Sequence, residues 1–323
     1  MSRRPPRPLV LLLALALVPA FAVAPSAAAT PAASSARPGA ERDDWSSRPF
    51  AAAVSSGLER FYAQDFAAAE ADFERALALV PDNSFAISFA DASAAQTLGK
   101  LDQLADAEED AVAADPKSYA AHVRLAFAYL FQSELGRERR SDARDEIVAA
   151  ENLKPRGAAA HDAEGILRFD ERSNNRAKIE FLEALASDPG DVLAREYLGT
   201  LYQTELHEPR AALSYVIEVP NLVPNYADIY FHIGSILKDL DQPEAAIANL
   251  QRGLALDPQH VGEAGLHGYT MIAQIYLGEH QIEKAQAILT RAVADDADPI
   301  FAKTLLDRIA SGAYGATPSP AKP

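Results

Sequence analysis

The sequence predicts an all-α fold: an α-solenoid of about seven antiparallel helix pairs with a C-terminal capping helix. Three periodic markers predict it. Prolines that follow an apolar helical run stand at Pro81, Pro116, Pro155, Pro189, Pro224, Pro258 and Pro299, spaced by 35, 39, 34, 35, 34 and 41 residues. A small residue recurs inside the helix that starts each unit, at Gly57, Ala92, Ala126, Gly165, Gly199, Gly234 and Ala273. A third marker lies in the following helix, at Ala69, Leu104, Ala143, Ala177, Ala211, Ala246 and Ala285. Second and third markers are 12 residues apart in six units and 17 in the unit containing Ala126, whose proline spacing is longer by the same five. Two separate markers thus agree on one insertion.

The spacing has a physical cause. A small residue in each helix of a pair lets the two backbones approach closely, where a larger side chain would hold them apart. Bulky residues such as Tyr202, Tyr215, Leu237 and Leu250 then fill the space between neighbouring pairs. Proline after the second helix cannot continue it and sets the turn into the next unit. One pair buries too little surface to stand alone, so stacking supplies the core.

Taken in order, residues 1–29 have the layout of a secretory signal peptide. Arg3, Arg4 and Arg7 precede an apolar run from Leu9 to Ala24, and small residues follow from Ser26 to Ala29. Cleavage is expected after Ala28 or Ala29. The competing reading is an uncleaved anchor, for which sixteen apolar residues are short against about 30 Å of hydrocarbon. Residues 30–49, rich in Pro, Ser and Ala without a hydrophobic period, read as a disordered tether. The solenoid occupies 50–311, in units of roughly 50–83, 84–117, 118–156, 157–190, 191–225, 226–259 and 260–299. The third unit has a longer turn, Ser133 to Ser141, with Arg137, Arg139 and Arg140; the seventh has a longer lead-in, Gln259 to Gly265. The capping helix, 300–311, is apolar at Ile300, Phe301, Leu305, Leu306 and Ile309, leaving Lys303, Asp307 and Arg308 to meet water. Residues 312–323 read as a disordered tail.

The residues that carry this period resemble the tetratricopeptide repeat family. The likeness is close in Leu198-Gly199-Thr200-Leu201-Tyr202 followed by Ala211 and Tyr215, and good in Tyr230, Ile233-Gly234, Leu237, Ala246, Leu250 and Pro258. Tyr269, Ile272-Ala273, Tyr276, Ala285 and Ala292 repeat it. The first unit keeps Gly57, Ala69, Phe73, Ala76 and Pro81 but has Arg60 where the family prefers an aromatic; the second, with Asp91-Ala92, Leu104 and Glu108, departs furthest.

Composition narrows the function. The 323 residues carry 30 Lys+Arg against 46 Asp+Glu, a net −16, and losing Arg3, Arg4 and Arg7 with the signal would deepen this to −19. Such a chain repels phosphate backbones, so a nucleic-acid partner is not expected. With no Cys there are no disulfides, thiolate nucleophiles or Cys–zinc sites. The seven histidines, His122, His161, His207, His232, His260, His267 and His280, form no H-E-x-x-H. His260 and His267 with Glu263 are the one grouping that invites a metal, and a solvated loop histidine beside a helical one is the preferred reading. Gly99-Lys100 lacks the earlier glycine of a P-loop, and there is no G-x-S-x-G. Arg137, Arg139, Arg140 and Arg144, with Arg168, Arg172 and Arg176, sit near two neighbouring turns but are interspersed with acids, which favours ordinary surface pairs. No enzyme, cofactor or metal is expected.

The family resemblance implies a concave groove, lined by the first helices of successive units, that accepts protein or peptide segments. Exposed positions on those helices would be Asp162, Phe169, Glu196, Gln203, Phe231, Ser235, Lys238, His267 and Gln274. The Lys, Arg and Asn constellation with which some family members clamp a C-terminal carboxylate is not found at the matching positions. The expectation is a periplasmic or secreted adaptor that holds a protein partner, contacting membrane only if its N-terminal segment stays uncleaved. The alternative is an accessory of envelope polysaccharide export, with Phe169 and Phe231 stacking on sugars.

Overall fold

The computed structural model describes residues 44–314; the expected signal peptide, the tether up to residue 43 and residues 315–323 lie outside the described residues. The described chain is helical throughout, with no strand. It divides after Pro224 into two compact units. The first holds five helix pairs: α1 (Arg48–Tyr62) with α2 (Phe66–Leu77), α3 (Ser84–Ala95) with α4 (Lys100–Ala114), α5 (Tyr119–Glu134) with α6 (Arg140–Leu153), α7 (Ala158–Asp170) with α8 (Asn174–Ser187), and α9 (Val192–Thr200) with α10 (Pro209–Val216). A short α11 (Val219–Leu222) follows. The second holds α12 (Ala227–Asp239) with α13 (Pro243–Leu256), α14 (Glu263–Gly278) with α15 (Ile282–Ala294), and the cap α16 (Pro299–Ala310). No helix among the described residues is long and apolar enough to cross a membrane.

The small-residue marker works as the sequence predicts. A Cβ on Gly57 would lie 2.8 Å from the Phe73 ring, one on Gly165 2.6 Å from Phe181, and one on Gly234 2.7 Å from Leu250. In each case a small residue faces a bulky one sixteen positions later in the partner helix, at distances no side chain tolerates. In the second pair that later position is Glu108, which explains why this unit departs furthest from the pattern. Glu108 is buried and accepts from Arg124 Nε at 2.6 Å, while Arg124 Nη2 donates to Glu74 at 2.8 Å. Several helices begin on a side-chain cap: Asn83, Ser118 and Asp191 accept from the backbone N–H three residues on, at 3.0, 3.2 and 3.0 Å. The turn inside a pair has its own rule. Gln64, Arg172, Asp241 and His280, seven residues after the marker, adopt φ of 62°, 57°, 57° and 59°, and Gly99 takes φ 76° at the same place.

In the first unit the inner helices close on one another. α3 packs against α5, α7 and α9 as well as its partner α4, and α5 packs against α7. The first helix of each pair thus lies on the inside and the second outside. One consequence is that every residue of α3 from Ser84 to Ala94 is buried.

A second feature locks this closure. Residues 44–49, assigned to the tether by composition, belong to the fold. A 3-10 turn at Asp44–Ser46 leads into α1, and Trp45 Nε1 donates to the Gly190 carbonyl at 2.9 Å, 145 residues away. The Trp45 ring lies edge-on to Phe50 and Phe85 at 5.2 and 5.9 Å, and Asn83 Nδ2 donates to the Asp44 carboxylate at 3.0 Å. A single Trp in a Pro/Ser/Ala context carries no local period, so nothing in its neighbourhood announces the contact.

In the second unit Tyr269, Ala273, Leu277, Ala285, Leu289, Ala302, Leu305 and Ile309 form one cluster, with Phe301, Leu306 and Tyr314 against it. The cap therefore docks as expected, with Lys303, Asp307 and Arg308 exposed, except that Ile300 is 82% exposed. Docking through Ala302, Leu305 and Ile309 turns the first residues of α16 outward. The lead-in before α14 is organised by Asp257, whose carboxylate accepts from Val261 N at 2.8 Å and Gly262 N at 3.1 Å.

Candidate interaction surface

The nine expected groove residues do not form one exposed surface. Asp162, Glu196 and Gln203 in the first unit, and Phe231 and Ser235 in the second, are buried; Phe169, Lys238, His267 and Gln274 are half-buried. The exposure expected for the first five is therefore corrected. Inner closure accounts for Asp162, which is fully enclosed beside Asp191, with Asp188 and Ser84 near it. Phe231 is core: a Cβ on Gly253 or Gly268 would lie 2.8 or 2.7 Å from its ring. Phe169 lies edge-on to Tyr197 at 5.6 Å, and Tyr197 stacks on Phe181 at 4.8 Å.

Dehydration marks the inner helices electrostatically. Burial holds the carboxyls of Asp91, Asp162 and Asp191 above the usual range, with Asp191 adding to the effect at Asp162. Glu134 is pushed up to about 8, first by burial and then by Asp170, with Arg140 opposing.

Exposed apolar side chains recur on or just after the outer helices of the first unit. Val148, Leu182 and Ile217 are 49%, 38% and 45% exposed, and each stands seven residues before its unit's proline, in three consecutive units. Ile179, one turn before Leu182 on α8, is 54% exposed. The same position holds Glu74, Glu109 and Gln251 in three other units. Exposed acids lie beside the stripe at Asp145, Glu183 and Glu218.

Histidines that look scattered in sequence share a register. His122 lies six residues after Pro116 and His161 six after Pro155. His122 Nδ1 is 2.6 Å from the Glu146 carboxylate and its Nε2 3.1 Å from the Pro116 carbonyl. His161 Nδ1 is 2.9 Å from Glu180. Arg195, six residues after Pro189, donates to the carbonyl of that proline at 2.7 Å, so the contact that His122 makes with Pro116 persists with another side chain. Glu151 joins the second histidine: ligand atoms of Glu151, His161 and Glu180 all lie within 4.8 Å of one another. Sequence reasoning missed this trio because its members come from α6, α7 and α8; the proline register was the signal that could have found it.

The other histidines have plainer roles. His207 and His280 occupy left-handed turn positions at φ 55° and 59°. His232 is enclosed, and burial lowers its imidazole to about 4. His260 lies against Tyr269 at 5.5 Å while His267 Nδ1 is 3.1 Å from Asp298. Four of the arginines near the turns are paired: Arg137 with Asp102, Arg139 with Glu109 and Asp142, Arg144 with Glu171, and Arg168 with Glu164 and Glu171.

These helix pairs, with a small residue facing a bulky one and a proline closing each second helix, agree with a family model. The model described as tetratricopeptide repeat matches residues 227–260. Residues 227–260 form a tetratricopeptide repeat, and the described chain has an all-helical repeat fold. The match covers α12 and α13, the pair in which Gly234 meets Leu250. A search of curated proteins gives no match. Among solved structures, the chain is similar to the human IFIT1 dimer with m7Gppp-AAAA at 14% identity and TM-score 0.52, over 72% of this chain and 56% of that one. It is also similar to YrrB, described as a tetratricopeptide repeat protein with an unusual peptide-binding site, at 21% identity, TM-score 0.49, and 63% and 99% coverage. A third is Pseudomonas aeruginosa pilF, at 15% identity, TM-score 0.45, and 76% and 91% coverage. The first of these supports the helical-repeat fold, and at such identities none speaks to function.

Proposed function

We propose that this helical-repeat protein is a scaffold that holds a protein partner on the outer helices of its first unit. The observation that carries the reading is the stripe of Val148, Leu182 and Ile217, exposed at one repeat position in three consecutive units. Aliphatic side chains held in water across neighbouring helices lose solvent-exposed area when a partner covers them, at about 25 cal/mol per Å². Asp145, Glu183 and Glu218 beside the stripe favour a partner segment whose apolar residues are flanked by Lys or Arg. The signal-like N-terminus supports a periplasmic or secreted setting. The fold is one used mainly for binding, and the reading assigns no reaction to it.

Groove binding is the second reading, supported within the second unit by the half-buried Lys238, His267 and Gln274. Glycan binding has less support, because Phe231, one of its two stacking aromatics, is enclosed in the core. Quantitative affinity capture from envelope extract separates the two protein-binding readings. Leu182→Glu with Ile217→Glu is expected to deplete the partner recovered by the wild-type chain, and Lys238→Glu to leave it. The reverse pattern would sink the outer-face assignment in favour of the groove.

A further inference from the structure

We propose that Glu151, His161 and Glu180 form a binding site for one divalent transition-metal ion of the Zn²⁺ type, at the junction of the third and fourth helix pairs. The three come from α6, α7 and α8, and their ligand atoms lie within 4.8 Å of one another. One imidazole nitrogen with two carboxylate oxygens is a donor set that suits Zn²⁺, water completing the coordination. All three side chains are half-buried, so ion and water have access.

The orientation of the ring is the second argument. His161 turns Nδ1 toward Glu180, at 2.9 Å. Metal binding requires Nδ1 to release its proton and offer its lone pair, with Glu180 changing from hydrogen-bond partner to co-ligand. Arg168, the nearest guanidinium, is already engaged by Glu164 and Glu171.

The molecule contains its own control. His122 makes the same histidine–glutamate contact one unit earlier, to Glu146 at 2.6 Å, and also reaches the Pro116 carbonyl at 3.1 Å. The residue matching Glu151, four before the proline, is there Val112, which offers no ligand atom. The histidine–glutamate contact is therefore a packing device that stands without a second carboxylate. Glu151 is what the later junction adds: a second carboxylate oxygen within reach of the same imidazole.

The test uses the full chain, stripped with EDTA and titrated with Zn²⁺ against a chromophoric chelator, with Co²⁺ absorption as a second readout. One tight ion per wild-type chain is expected. Glu151→Gln should weaken it by more than about tenfold and remove the Co²⁺ ligand-field bands. Melting in EDTA should stay unchanged, because the earlier junction stands with an uncharged Val112 in that place. Nitrogen-labelled histidine spectra of the wild-type chain need no variant: Zn²⁺ should perturb one imidazole of the seven. Equal binding by wild type and Glu151→Gln, perturbation spread over several histidines, or no binding at all would overturn the site.

Discussion

Arg124 shows how single residues hold the first unit together. Its guanidinium reaches Glu108 and Glu74 and offsets the charge of the enclosed Asp91, so one cation serves carboxylates from α2, α3 and α4. Removing it leaves buried negative charge without a partner. Arg124→Gln is expected to destabilise the chain by about 3–5 kcal/mol, read as a lower denaturant midpoint. Glu134 works in the opposite sense. Its carboxyl is pushed up to about 8 from an ordinary 4.5, so between those values the folded chain binds protons that the unfolded chain has released. Its stability contribution is complete below the ordinary value and is lost as pH rises through that window. Glu134→Gln should therefore raise stability at pH 8, by on the order of 4 kcal/mol at most, and the two melting curves should converge near pH 4. An unchanged difference across that range would show that Glu134 does not titrate this way. Neither residue stands out in the sequence, since what matters is the set of charges brought around it by other helices.

The helix pair is the element most legible in the sequence. The proline, small-residue and Ala markers placed all the pairs because each reports a contact inside one unit. Gly165 illustrates the packing behind the marker: its backbone lies so close to the Phe181 ring that a Cβ would sit 2.6 Å away. Gly165→Val, despite a gain in helix propensity, should cost roughly 1–3 kcal/mol as the pair is forced apart, with a lower Tm as the readout. A neutral result would mean that Phe181 can swing clear. Elements whose structure depends on distant partners were less legible. The 3-10 turn around Trp45 reads as tether until Gly190 is known to be its acceptor, and Ile300 reads as buried until α16 is seen to dock through Ala302, Leu305 and Ile309.

At the scale of the whole molecule, inner closure of the first unit decides which surfaces remain for binding. Trp45 bonds Gly190 near the start of α9 and packs on Phe50 and Phe85, so it ties the beginning of the unit to its fifth pair. As the only Trp in the chain, it reports this contact directly. Trp45→Ala should lower stability by about 2 kcal/mol or more, and wild-type emission should redshift in the same denaturant transition that melts the helices. Emission already typical of solvent-exposed Trp in the folded protein would contradict the docked turn.

The sequence by itself determined the period, the pairing of helices, the insertion in the third unit and the facing of a small residue by a bulky one. All of these follow from contacts within thirty-odd residues, and a repeat writes such contacts into the chain again and again. Only the tertiary structure decided whether the inner helices meet water. That outcome depends on contacts between non-adjacent pairs, α3 with α7 and α9, and no single unit's pattern records it. The same closure buried Asp162, Glu196 and Gln203, while Val148, Leu182 and Ile217 stay in water.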